Sequence, residues 1–361
     1  MSAVTRLNEL GFYALAGAPK SPRDLVDEVR EAERMGIGAA FISERFNIKE
    51  VATLCGAAAA VTEKIGIATA VTNHNTRHPM VTASMAMTMH KMTGGRFALG
   101  LGRGIAMLMD MYGLPRIRTA EMEDFATVMR RLWRGEMVAG HDGPAGSWPL
   151  LTLGSGFDER IPLLLSAFVP ASLRLAGRVF DGVILHTFFT DETTARAVAT
   201  VRRAAEQAGR DPRSVRIWSC FATVGDHLSE ELRLKKTVGR IASYLQGYGD
   251  LLVRTNRWDP DVLARFRADA TVASIPGAID QLATPSQLEH ISTLIPREWL
   301  APAATGDPAS CVAAIRGQFD LGCDGVILHG ATPAELGPIV QEYRCTRPTG
   351  RFDHAAANPG L

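Results

Sequence analysis

Short unbroken apolar runs alternate along this chain with longer stretches whose apolar residues recur at helical spacing. "SPRDLVDEVREAERMGIGAAFIS" shows the unit in full. Ser21 is a candidate helix cap and Pro22 suits the first turn, while Leu25, Val26, Val29 and Met35 share one helical face. Gly36 and Gly38 end the helix, and the chain enters the strand "AAFIS". The same helix–glycine–strand order recurs in "VATLCGAAAAVTEKIGIATAV" and in "PMVTASMAMTMHKMTGGRFALGLG". Continuous apolar strands, as opposed to alternating ones, are those buried on both faces of a parallel sheet.

One hexapeptide, "DGVILH", occurs twice, at 181–186 and 324–329, each time after an amphipathic stretch and each time before a turn. Together with "GFYALAG", "IPLLLSA" and "VRIWSCFATV", these runs make eight candidate strands separated by helices. Eight βα units predict an α/β fold closed into a (β/α)8 TIM barrel, with an open doubly wound sheet as the rival architecture. Both histidines of the repeat then fall at carboxyl ends of strands, where barrel enzymes place their chemistry. Two regions exceed the tight units. "RGEMVAGHDGPAGSWPLLTLGSGFDER" is a surface excursion, and residues from about 226 to 305 form a helical insertion after the seventh strand, over the barrel mouth. The single domain is expected to run from 1 to 345, and 346–361, which lacks a core pattern, to be a disordered tail.

Composition narrows the function. A formal net charge of +1 gives no field for nucleic acid or an anionic membrane, so neither is an expected partner. Five cysteines without a C-x-x-C pair suit a reducing compartment. The start "MSAVTRLNEL" lacks a signal-peptide pattern, and the apolar runs are too short to span a membrane, so the expectation is a cytoplasmic protein.

Candidate chemistry lies at the strand ends. Gly100, Gly102 and Gly104 surround Arg103 where the fourth strand ends, a place where main-chain N–H groups can approach a phosphate. The spacing is G-x-G-x-G, so the dinucleotide fingerprint fails. Asn73, His74, Asn75, Arg77 and His78 make a polar loop after the third strand. The H-x-x-x-H pair there lacks the helix and the glutamate of a zinc site, and no metal is expected. Glu44 and Arg45 close the second strand; His186 and His329 close the sixth and eighth.

The stretches "IGIATAVTNHNTRHPMVTASMAMTMHKMTGGRFALGLGRG", "RLWRGEMV" and "IPLLLSA…SLRLAGRVFDGVILH" resemble the bacterial luciferase-like monooxygenase superfamily, and within it the coenzyme F420-dependent oxidoreductases. The resemblance spans about residues 11–345 and is most specific over 64–186. It implies a barrel with an insertion after the seventh strand, a homodimer joined through early helices such as "CGAAAAV", and a deazaflavin over the mouth. It also implies a non-prolyl cis peptide at Ala70–Val71 against which the ring leans, and a cofactor phosphate held around Arg103, Gly104, Ala167, Phe168 and Val169. Val71, Asn73 and Gly102 complete the implied cofactor contacts. Two departures matter. Phe168 and Val169 stand where relatives often carry a glycine pair, and Glu44–Arg45 replaces the Asp-His of the family's alcohol dehydrogenases. An arginine offers no acceptor for a proton, so Arg45 points to charge stabilisation or to orientation of an anionic or carbonyl substrate. The expected activity is hydride transfer between F420 and a small organic substrate, with Glu44, Arg45, His74, His186 and His329 as candidates for proton or charge roles. An FMN-dependent monooxygenase and a non-catalytic ligand-binding barrel are the alternatives.

Overall fold

The computed structural model describes residues 5–17 and 19–361. Eleven strands occur among them: β1 (Leu7–Tyr13), β2 (Ile37–Ile42), β3 (Gly66–Thr69), β4 (Phe97–Leu101), β5 (Val138–Gly143), β6 (Gly146–Leu151), β7 (Leu163–Ser166), β8 (Gly182–Ile184), β9 (Arg216–Gly225), β10 (Ala303–Gly306) and β11 (Gly325–His329). Eight of them pair in parallel around a ring, β1-β2-β3-β4-β7-β8-β9-β11, which β11 closes onto β1. Helices connect them, so the fold is the (β/α)8 barrel that the hydrophobic pattern predicts.

The ring is packed, not hollow. Phe41 and Trp218 meet edge to face inside it, their centroids 4.8 Å apart, with Ala39, Ala68 and Ala98 lining the narrower side. Two glycines make room for these rings. A methyl at Gly11 would overlap Phe41, and one at Gly325 would overlap Trp218. Small residues opposite large ones fill a barrel layer without voids.

The two copies of "DGVILH" build the same corner at the base. Asp181 accepts from the Leu163 amide at 2.9 Å and pairs with Arg130 at 2.9 Å. Asp324 accepts from the Ile217 amide at 2.7 Å and pairs with Arg202 at 2.6 Å. Each carboxylate thus satisfies an N–H at the start of a neighbouring strand and neutralises an arginine from a helix outside the barrel.

Several expectations need correction. The first helix starts at Asp24, not Ser21; the Ser21 hydroxyl accepts from the Arg23 amide in the turn just before it. The surface excursion contains an antiparallel hairpin, β5–β6. The insertion is helical as expected, but ends in β10, which extends the sheet beside the upper part of β9. Residues 346–361, expected to be disordered, pack under the barrel. Arg216 donates to the carbonyls of Asn358 (2.9 Å) and Leu361 (2.8 Å), and the Trp218 indole donates to Pro359 (2.7 Å). Asn358 donates in turn to the carbonyls of Gly95 and Phe97. The segment is anchored mainly through main-chain carbonyls, which leave no periodic apolar signal. No helix among the described residues is long and apolar enough to cross a membrane.

Candidate active site at the barrel mouth

At the carboxyl end of β3 the ladder to β4 breaks and resumes. Thr69 exchanges hydrogen bonds with Gly100, the Ala70–Val71 peptide is cis, and the Thr72 amide then returns to the Gly100 carbonyl at 3.0 Å. The expected cis bond is therefore present, at the expected residues. Val71 keeps part of its surface open and lies against Gly102, where a methyl would overlap its side chain. Asn73 fixes the next turn by donating to the Gly102 carbonyl at 2.8 Å.

Beyond β4, Gly104 is exposed with φ +71, a conformation open to glycine at little cost. Arg103 is held by neutral acceptors, the Ile117 carbonyl (3.1 Å) and the Thr119 hydroxyl (2.7 Å). No carboxylate forms an ion pair with it among the described residues, although Glu121 lies near enough to act on its charge. Across the rim, Ala167 is buried. The Phe168 and Val169 amides, expected to reach a phosphate, are instead taken by the Ser172 hydroxyl at 3.3 and 3.2 Å. The side chains that replace a glycine pair turn the main chain toward its own helix cap.

Glu44 has a different place from the one expected of a proton carrier. Its carboxylate accepts from the Val51 amide, the Thr72 hydroxyl and Arg77 (2.6 Å). Both oxygens are engaged, and the residue pins the 70–77 loop to the end of β2. His74 is buried behind that loop, stacked on Phe125 at 5.0 Å. Burial lowers its pKa, with nearby Glu121 opposing the shift and Arg103 adding to it. His78 is exposed and caps the following helix, so the two histidines diverge and share no ligand. Arg45 remains at the mouth, donating to the Gly17 carbonyl at 3.0 Å.

His186 and His329 do come together. His186 Nδ1 lies 2.8 Å from the Thr187 carbonyl, which can only accept, so the proton sits on Nδ1. Nε2 then accepts from the Tyr248 hydroxyl at 2.9 Å. Burial pushes the His186 pKa down to about 4, so the ring is neutral at pH 7. His329 packs on Tyr13 with centroids 4.7 Å apart, and its buried Nδ1 has no partner. Burial holds its pKa well below the usual range, with Arg240, His186, Lys49 and Lys236 adding to the effect. Both rings are thus acceptors or neutral donors at physiological pH.

The remaining wall comes from residues the strand-end reading missed: Tyr13, Tyr244, Tyr248 and Arg240. Tyr244 and Tyr248 stack at 5.4 Å, and Phe168 lies 4.5 Å from His186. Tyr248 has non-helical φ/ψ, so the helix Arg240–Asn256 kinks there. The i, i+4 spacing of the tyrosines in "SYLQGYG" was a visible signal for a shared helical face, but not for the direction of that face. Tyr13, Val71, Ser166, Phe168, His186, Tyr244 and Tyr248 all retain partial exposure, which marks an open recess walled by rings. Two other clefts lie at the base, one around Arg130, Arg160 and Asp181, the other around Arg6, Glu33 and Lys64. Asp181 is already paired in the first, and Glu33 is taken by the amides of Glu63, Lys64 and Ile65 in the second. The mouth is the better site.

Comparison with known proteins agrees with this geometry. A family model described as luciferase-like monooxygenase matches residues 7–343. A 5,10-methylenetetrahydromethanopterin reductase from Methanolobus tindarius is 26% identical over 300 residues, covering 82% of this chain and 86% of the relative. An F420-dependent glucose-6-phosphate dehydrogenase from Beutenbergia cavernae is 34% identical over 188 residues, 48% of this chain and 55% of that protein. The solved structure of a coenzyme F420-dependent tetrahydromethanopterin reductase from Methanopyrus kandleri superposes with a TM-score of 0.75 at 20% identity, covering 92% of this chain and 97% of that one.

Proposed function

Because the chain belongs to the luciferase-like monooxygenase family, we propose that it is an F420-dependent oxidoreductase acting on a small organic substrate at the barrel mouth. The observation that carries this reading is the partly open Val71 side chain lying against Gly102, whose neighbour in sequence, Arg103, pairs with no carboxylate among the described residues. The name of the Methanolobus relative supports a reductase, and that of the Beutenbergia relative supports F420.

The residues fit the cofactor on one side of the rim and less well on the other. Ala70, Val71 and Asn73 would back the ring, Gly102 allows Val71 its position, and Arg103 with Gly104 would receive the phosphate. Phe168 and Val169 would contribute apolar surface near Ala167, since Ser172 already takes their amides. When bound, a deazaflavin supplies hydride exchange at its C5 carbon. The protein contributes position and exclusion of water. His186, neutral and held at both nitrogens, keeps Tyr248 over the recess. Arg45 contributes a fixed positive charge, and His329 an uncharged ring on the floor. The insertion covers the mouth and bears the residues that select the substrate. A homodimer through helix Val51–Val61 and its neighbour Pro79–Thr93 belongs to the same reading; Val81 and Met92 are exposed on the latter.

Separate titrations of F420 and FMN against the purified chain, read by fluorescence, test the reading. F420 should bind, and Arg103→Ala should weaken it about tenfold or more. Binding of FMN but not F420, with oxygen uptake on reduction, would favour the monooxygenase that the family name describes. Tight F420 binding without turnover of enones, imines or alcohols would favour a carrier.

A further inference from the structure

The wall of the mouth away from Arg103 carries more positive charge than its carboxylates neutralise. Lys49, Lys236 and Arg240 lie close to the Tyr13–His329 pair, and Arg45 lies close to Lys49. Arg240 pairs with Asp280 at 2.7 Å and Lys236 with Glu335 at 3.0 Å. Lys49 is buried, donates to the carbonyls of Ala14 (3.1 Å) and Leu15 (3.2 Å), and has Glu28 nearby. Burial pushes Glu28 up and Lys49 down, each to about 7, so this pair is only partly ionised at neutral pH and the unneutralised charge of the wall is that of Arg45. Arg45 has no carboxylate partner among the described residues. Its one acceptor is the carbonyl of Gly17, and the Arg240 guanidinium lies near the same glycine, 3.8 Å from where a methyl would sit.

A second observation marks the same place. His329 is 4% exposed, yet its Nδ1 is unpartnered. An unsatisfied buried nitrogen costs free energy unless a ligand or a rearrangement completes it. Tyr13 stands beside it, with Tyr244 and Tyr248 close to Tyr13, and these rings offer flat apolar surface with polar tips. Unpaired charge, an orphaned acceptor or donor and aromatic walls converge on one kind of molecule.

We infer that the substrate is a planar unsaturated anion, its carboxylate or phosphate group lying at Arg45 and Arg240 and its flat body against the Tyr13–Tyr244 wall. This rests on the oxidoreductase reading for its redox chemistry, but the anion site itself does not. It also separates two charges in the recess: Arg103 serves the cofactor, Arg45 the substrate.

Calorimetric titration of the full chain, with and without F420, tests the inference with three probes of similar shape: benzoate, phenyl phosphate and neutral benzamide. One of the two anions should bind at least about tenfold more tightly than benzamide, and which one does so tells carboxylate from phosphate. Arg45→Ala should reduce that preference to near parity, and Arg45→Lys should restore part of it. Arg45 makes one hydrogen bond to Gly17, so its removal should leave the circular dichroism unchanged. Equal binding of benzamide, no binding of any probe, or an anion preference that survives in Arg45→Ala would each overturn the inference. F420 affinity should be the same in Arg45→Ala as in the parent; a loss there would mean that these cations hold the cofactor, and would also overturn it. If F420 fails to bind the parent while an anion binds through Arg45, the redox reading falls and the anion site stands.

Discussion

The two "DGVILH" strands share six residues and one base, yet their carboxyl ends do different things. At the base, Asp181 and Asp324 satisfy the same kind of strand amide and pair with the same kind of arginine. At the rim, His186 is tied at both nitrogens by Thr187 and Tyr248, while His329 keeps an unpaired nitrogen near Arg240, Lys49 and Lys236. A sequence can repeat a structural corner faithfully while leaving function to whatever packs against its far end. Here the insertion meets both copies, with a tyrosine at one and with Lys236 and Arg240 at the other.

The comparison can be broken at the base first. Asp181→Ala should cost about 3 kcal/mol in urea denaturation, because it leaves the buried Leu163 amide and two arginines without their partner. Asp324→Ala should cost less, about 1–2 kcal/mol, since its side chain is 34% exposed against 5% for Asp181. Burial pushes the Asp181 pKa up, but Arg130, the Leu163 amide and Arg160 more than offset this and hold it below the usual carboxylate value. Its share of stability is therefore present above about pH 3.8 and lost as pH falls through the depressed value.

The glycines sharpen the contrast. Gly325→Ala drives a methyl into the Trp218 ring, which Pro359 and Phe41 hold in place, and should cost about 2 kcal/mol by thermal or urea unfolding. Gly182→Ala meets the flexible end of Leu164 and also the Arg216 carbonyl, and should cost somewhat less. At the rim, His186 binds no proton in the folded state until about pH 4, whereas the unfolded chain protonates near 6.5. The stability it contributes is present above pH 6.5 and lost as pH falls toward 4. His186→Gln should remove that part of the acid sensitivity, and NMR of the imidazole should show a neutral Nδ1–H tautomer at pH 7. The smallest effect is Tyr248→Phe, which removes one hydrogen bond and should cost about 1 kcal/mol.

The barrel was legible because its strands are buried on both faces and its helices are amphipathic, a pattern that eight repetitions make hard to mistake. The Ala70–Val71 bond was legible only by resemblance, since nothing in "ATAVT" encodes it through spacing. Glu44 was misplaced for a physical reason: a carboxylate at a strand end reads as chemistry until Arg77, 33 positions away, is seen to take it. Tyr244, Tyr248 and Arg240 were hidden because helical periodicity gives the face of a helix but not the surface it covers. The terminal segment was hidden because carbonyl oxygens carry no side-chain signature.

That terminal segment has a consequence for traffic. With Phe41 and Trp218 filling the ring and Pro359, Asn358 and Leu361 fastened beneath it, any guest comes and goes by the mouth alone. Whatever occupies its floor must enter before anything that sits above, and must leave after it, so two guests that meet there would do so in a fixed sequence.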